Sequence, residues 1–173
     1  GDIGGWNTSN VTDTRFMFAG ATSFNRSLNS WNMSKVTQAT AMFQGATAFN
    51  GAIGNWNTSK ITFMDFMFNG ATAFNQSVNS WNTSAVMNME AMFQNASSFN
   101  QSLNSWNTSK VADMANLFYG ATAFNGAIGN WNTARVTDMA GMFYEARAFN
   151  QPLGSWNTTA ARNMAFAFSG ATA

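Results

Sequence analysis

Tryptophan returns every 25 residues without an insertion or deletion, at Trp6, Trp31, Trp56, Trp81, Trp106, Trp131 and Trp156. The 173 residues therefore hold seven copies of one unit, the last copy two residues short. A fixed period between about 20 and 50 residues marks a stacked array, in which each unit buries its apolar side only against its neighbours. The expected fold class is a repeat solenoid of seven 25-residue coils. It forms a single array over 1–173, with repeats 1–25, 26–50, 51–75, 76–100, 101–125, 126–150 and 151–173. Neither end of the pattern carries a polar capping unit. The array is thus expected to be uncapped, belonging to a longer array or stacking on identical molecules.

Aligned in columns, position 3 holds Ile3, Leu28, Ile53, Val78, Leu103, Ile128 and Leu153, and position 24 holds Phe in every complete copy. A short strand near position 3, stacked on its copies about 4.8 Å away, would form a parallel sheet along the array. Positions 11–18 carry another period. Val111, Met114, Leu117 and Phe118 are spaced i, i+3, i+6, i+7, which predicts a short helix or 3₁₀ segment with one apolar face. Thr108 and Ser109 stand where an N-cap belongs, and Gly120 where a helix ends in the left-handed conformation. Gly20, Gly45, Gly70 and Gly170 share that place; Asn95 tolerates it, and Glu145 predicts an irregular coil.

Charged residues make up 9% of the chain and the formal net charge is +1. Eight Lys and Arg spread over seven units form no basic stripe, so nucleic acid is not an expected partner. With 46% apolar and 15% aromatic residues the chain has ample material to bury and is expected to be ordered. There is no Cys and no His, which removes the commonest nucleophiles, general bases and metal ligands. The few carboxylates include Asp13, Asp113 and Asp138 in one column, far apart along the array and at no ligand spacing. The chain is expected not to be an enzyme and to need no cofactor or metal. No apolar run reaches the length of a membrane span.

The unit Trp106-Asn-Thr-Ser-Lys-Val-Ala-Asp-Met-Ala-Asn-Leu-Phe-Tyr-Gly-Ala-Thr-Ala-Phe-Asn125 resembles the repeats of the BspA-like leucine-rich-repeat surface proteins. Those repeats read roughly W-(D/N)-(T/V)-S-x-V-T-(D/N)-M-x-x-M-F-x-x-A-x-x-F-N-Q-x-(L/I), and Trp131 through Val136-Thr137-Asp138-Met139 and Met142-Phe143 follow the pattern closely. The resemblance extends over the whole chain. It implies a leucine-rich-repeat-like coil of α/β type, with short parallel strands plus a short helix or 3₁₀ turns, and a protein secreted or displayed at a cell surface. The implied role is structural: a rod, filament or surface layer that self-associates or continues the same array. The alternative is an adhesin whose variable face meets a host protein or a glycan.

Two Asn columns are invariant among the copies. Asn7, Asn32, Asn57, Asn82, Asn107, Asn132 and Asn157 follow the Trp, where an inward amide would bond turn backbone and stack into a structural ladder. The Trp column is expected to form an aromatic core ladder. Asn-x-Ser/Thr triplets recur, and Asn10, Asn25, Asn75, Asn95 and Asn100 are the candidate glycosylation sites, since a ladder Asn could not carry a glycan. Positions 13, 15, 16 and 19 vary freely. Arg15, Phe16, Phe63, Phe66, Tyr119 and Tyr144 make them the expected surface for contacts with another protein or a sister chain.

Overall fold

The structure, a computed structural model, describes residues 1–173. The seven repeats are seven coils, numbered 1 to 7 in chain order with the boundaries given above. Each is laid on the one before in the same register. Parallel bridges join Asp13 to Gln38, Gln38 to Phe63, and so on through Asp138 and Asn163, always at position 13 of the coil. Beyond these single-residue bridges the chain contains no helix and no strand; each coil is a succession of tight turns.

Coil 4 shows how turns alone fill a core. Val78, Trp81, Thr83, Val86, Met89, Met92, Phe93, Ala96 and Phe99 all point inward and are buried. At most of them the amide donates to the carbonyl of the inward residue three places earlier: Trp81 to Val78, Val86 to Thr83, Met92 to Met89, Ala96 to Phe93, Phe99 to Ala96. The chain therefore turns a corner at nearly every buried side chain. This replaces the helix expected over positions 11–18. The i, i+3, i+6, i+7 spacing is real, but it reports consecutive three-residue turns.

A helix is prevented by backbone hand. Position 16 lies in the left-handed region in every coil, at φ 51–60° for Phe16, Ala41, Phe66, Ala91, Asn116, Gly141 and Phe166. Position 20 does the same, with Asn95 at 57° and Glu145 at 55° among the glycines. Left-handed residues interleaved with ordinary ones aim alternate amides out of the coil. In coil 4 the amides of Met89, Ala91, Phe93 and Asn95 donate to the carbonyls of Asp113, Ala115, Leu117 and Tyr119 in coil 5, and the amides between them close turns within coil 4. For six non-glycine residues at position 16 this hand costs on the order of 1 kcal/mol each. The inter-coil bond that each makes is what holds it there. Glu145 is as regular as its glycine counterparts, so the irregular coil expected there does not occur.

The strand expected near position 3 is also absent. The carbonyls of that column instead receive the indole N–H of the next coil's Trp: Trp81 donates to Ile53 at 3.1 Å and Trp106 to Val78 at 3.0 Å. The sheet-like contact lies at positions 13–20, where the turns are. Gly51 and Gly126 lie against the backbone of the coil before. A β-carbon at Gly51 would stand 2.0 Å from the Arg26 carbonyl oxygen, a contact that excludes every other residue.

The core runs unbroken along the stack, one cluster from Phe18 to Phe149. Phe43 and Phe49 stack within one coil at 4.0 Å between centroids, and Phe43 meets Phe68 of the next coil at 5.5 Å. Trp81 and Trp106 lie 6.5 Å apart and 3° from parallel. Parallel rings whose centroids are further apart than the coil spacing of about 4.8 Å must be slid sideways, the offset arrangement that ring quadrupoles favour. No helix is long and apolar enough to cross a membrane.

Candidate functional site

The Trp column lies where a core ladder belongs. Trp31, Trp56, Trp81, Trp106 and Trp131 are 2–4% exposed, whereas Trp6 in coil 1 is 56% exposed and Trp156 in coil 7 is half-buried.

The Asn column after it does not form a ladder, and the expectation for these residues is corrected. Asn7, Asn32, Asn57, Asn82, Asn107, Asn132 and Asn157 are all exposed. Each amide oxygen accepts the N–H two residues further on in its own coil, as Asn82 does from Ser84 at 3.1 Å and Asn107 from Ser109 at 3.1 Å. This local ring is an Asx turn, and it leaves nothing to hold a neighbouring coil. Ser109 thus takes its place in that turn and caps no helix.

The ladder belongs to the other column. The Asn50 amide oxygen accepts the backbone N–H of Asn75 at 3.0 Å, Asn75 that of Asn100, and Asn100 that of Asn125 at 2.8 Å. Gln76 adds a side-chain N–H to the Asn50 oxygen, and Gln101 one to that of Asn75, so each acceptor takes two bonds. Of the glycosylation candidates, Asn25, Asn75 and Asn100 stand in this ladder with their oxygens committed, although all three remain exposed. Asn10 is exposed and accepts from the Lys35 ammonium, and Asn95 is exposed in its left-handed turn.

Two polar columns escaped sequence reasoning. Thr8, Thr58, Thr83, Thr108 and Thr133 are buried, and each hydroxyl donates to the position 7 carbonyl of the next coil, Thr83 to Asn107 at 3.1 Å. Their column was visible, but Met33 interrupts it, and the neighbouring Ser and Asn suggested a cap. The second escape is the choice between Gly and Asn at position 4. Where a coil has Gly there, the next coil supplies a Ser whose hydroxyl reaches the glycine carbonyl, as Ser80 does to Gly54. Where it has Asn, that amide oxygen accepts the next coil's backbone N–H, as Asn29 does from Asn55. What reads in sequence as an uneven scatter of openings is a set of matched junctions.

The variable columns form the outer face. Asp65, Glu90, Asp113 and Asp138 follow one another on coils 3 to 6, and Asp113 and Asp138, expected to lie far apart, stand on adjacent coils joined by a bridge. Loss of water contact raises the pKa of the Glu90 carboxyl first, and the Asp113, Asp65 and Asp138 charges add to it. Asp113 is raised in the same way, again by burial first, against an opposing N–H bond from Ala115. The ion pairs are local: Arg15 holds Asp13 at 2.6 Å and pulls its carboxyl below the usual range, and Arg147 meets Glu145 at 2.8 Å. No group of three acidic, His or Cys side chains is placed to hold a metal ion. Phe63 and Phe66 are half-buried along this face, Phe16 is 58% exposed, and Tyr119 stacks on Tyr144 with centroids 4.6 Å apart.

No curated protein and no solved structure matches the chain. A family model described as "Mycoplasma protein of unknown function, DUF285" matches residues 1–106 and again residues 76–173. Two overlapping matches are what a repeating unit produces when one model spans several coils. Because they cover the whole chain between them, this repeat protein belongs to that DUF285 family.

Proposed function

We propose that this chain is a non-enzymatic scaffold working outside the cell, a rod, filament or surface layer built by adding like coils. The observation that supports this reading is the identity of the junctions. From coil 1 to coil 7 the amides at positions 14, 16, 18 and 20 find their acceptors at positions 13, 15, 17 and 19 of the next coil, as Thr14, Phe16, Phe18 and Gly20 do in Gln38, Thr40, Met42 and Gln44. The backbone part of the junction is thus the same at every step, while positions 4 and 5 vary with the pair of coils.

On its uncovered side coil 1 presents Trp6 and Met17, 56% and 42% exposed. Coil 7 presents the backbone amides of Met164, Phe166, Phe168 and Gly170 together with an apolar recess lined by Phe143, Trp156, Met164 and Phe168. Another coil of the same kind fits each side, supplied by continuation of the array or by a second copy. Such a contact is heterologous and does not close on itself, so it propagates. The placement outside the cell is supported by the resemblance of the 25-residue unit to the repeats of BspA-like leucine-rich-repeat surface proteins.

Sedimentation and electron microscopy of the purified chain at rising concentration test the reading. Concentration-dependent rods are expected, shortened by Phe168→Asp, which adds a charge to the exposed apolar face of coil 7. Monomers at every concentration would count against assembly by this chain.

A further inference from the structure

In a repeat protein, binding resides where the copies depart from one another, because the shared columns are spent on stacking. Here the departures converge. Position 15 is Arg15, Thr40, Asp65 and Glu90 in coils 1 to 4, then Ala115, Ala140 and Ala165 in coils 5 to 7. The only two tyrosines, Tyr119 and Tyr144, fill position 19 of coils 5 and 6. Gly141 is the only glycine at position 16. The structure joins these departures into one recess on the outer face, lined by Asn116, Tyr119, Ala140, Gly141, Tyr144, Ala165 and Phe166.

Gly141 is what opens it. A β-carbon there would stand 2.5 Å from the Asn116 amide oxygen and 3.6 Å from the Tyr119 ring, so the Asn116 side chain lies where coil 6 has given up its own. The Tyr119 and Tyr144 rings lie 11° from parallel, and Phe166 is exposed on coil 7, which no further coil covers, where Phe66 at the same position between two coils is half-buried. The lining holds no charged residue. Its polar groups are the two phenol hydroxyls and the Asn116 carboxamide, none bonded to another group of the chain.

We propose that this recess binds a neutral sugar ring. A pyranose offers an apolar C–H face, which suits the exposed Phe166 ring beside the half-buried tyrosine pair, and a rim of hydroxyls, which suits phenols and a carboxamide that can both donate and accept. An ionised ligand would find nothing in the lining to pair with. The proposal concerns the ligand-presenting face and not assembly: a chain that never forms rods can bind sugar, and a rod-forming chain can fail to.

The protein with ring-labelled tyrosine gives two sets of NMR signals. Titration with a neutral trisaccharide of β-1,4-linked glucose should shift both, with a Kd on the order of 1 mM. Gly141→Ala should weaken binding at least about tenfold by displacing Asn116. That variant is expected to fold, because Ala41 and Ala91 hold the same position in their own coils at φ 55° and 51° against 60° for Gly141. Unchanged core methyl signals verify this. Tyrosine signals that do not move, binding that survives Gly141→Ala in the folded variant, or a proline-rich peptide that shifts the rings where the sugar does not would each overturn the assignment.

Discussion

Asn75 and Asn82 are both exposed, both begin Asn-x-Ser triplets and both belong to columns without exception among the complete coils. Nothing in the sequence ranks one above the other. What separates them is which amide lies within reach: for Asn82 the N–H of Ser84 in its own turn, for Asn75 the N–H of Asn100 in the next coil. The side chain that bridges coils bears on stacking; the other shapes a turn that water can also satisfy. Asn75→Ala leaves the Asn100 N–H and the Gln101 amide without their acceptor and should cost about 1 kcal/mol in urea unfolding. Asn82→Ala should stay within about 0.5 kcal/mol. Equal losses in the two variants would undo the distinction. The buried threonines teach the same lesson, because a hydroxyl counts as core only once the carbonyl it serves, such as that of Asn107, is seen beside it.

Within the coil, sequence reading found the inward columns but misjudged the backbone that carries them. Period, core positions and the left-handed site at position 20 were all legible, because side-chain type records burial and glycine records φ. Position 16 was not, since Phe, Ala and Asn there disguise a left-handed backbone that only the inter-coil bonds sustain. Without that second reversal, an i, i+3 pattern reads as helix. The difference has a measurable sign. Ala91→Gly relieves a left-handed alanine, and Gly141 shows that coil 6 accepts glycine at this place, so stability should hold or rise by up to about 1 kcal/mol. Ala96→Gly makes the same chemical change at a buried corner outside the left-handed positions and should destabilise by about 1 kcal/mol. Thermal unfolding of the pair checks this, and a loss in both would mean that position 16 is not strained.

Over the length of the stack like groups come together, as in the row where Asp65 and Glu90 at position 15 are followed by Asp113 and Asp138 at position 13 of the next two coils. Glu90 and Asp113 hold their protons more tightly folded than at their ordinary values of 4.5 and 3.8. The folded state therefore binds more protons than the unfolded one as these groups titrate. Their contribution is fully present below the unfolded values and is lost as pH rises through the folded ones, so the melting temperature should fall as pH rises above those unfolded values. Asp13, lowered by Arg15, works in the opposite direction, but the pair lies in contact with water and is screened. Glu90→Gln should flatten the slope, and an unaltered slope would mean that the row is not its source.

The alternating hand of positions 14–20 has one more consequence at this scale. Four amides per coil leave toward the higher-numbered neighbour, while only those at positions 12 and 23, such as Thr62 and Ala73, regularly point back. Each peptide unit carries a dipole of about 3.5 D, and units aligned along an axis add. The stack is therefore electrically polar, positive toward coil 7 and negative toward coil 1, even though its side chains nearly cancel at +1. Two such stacks laid side by side would gain by running antiparallel, and would lose by running in the same sense.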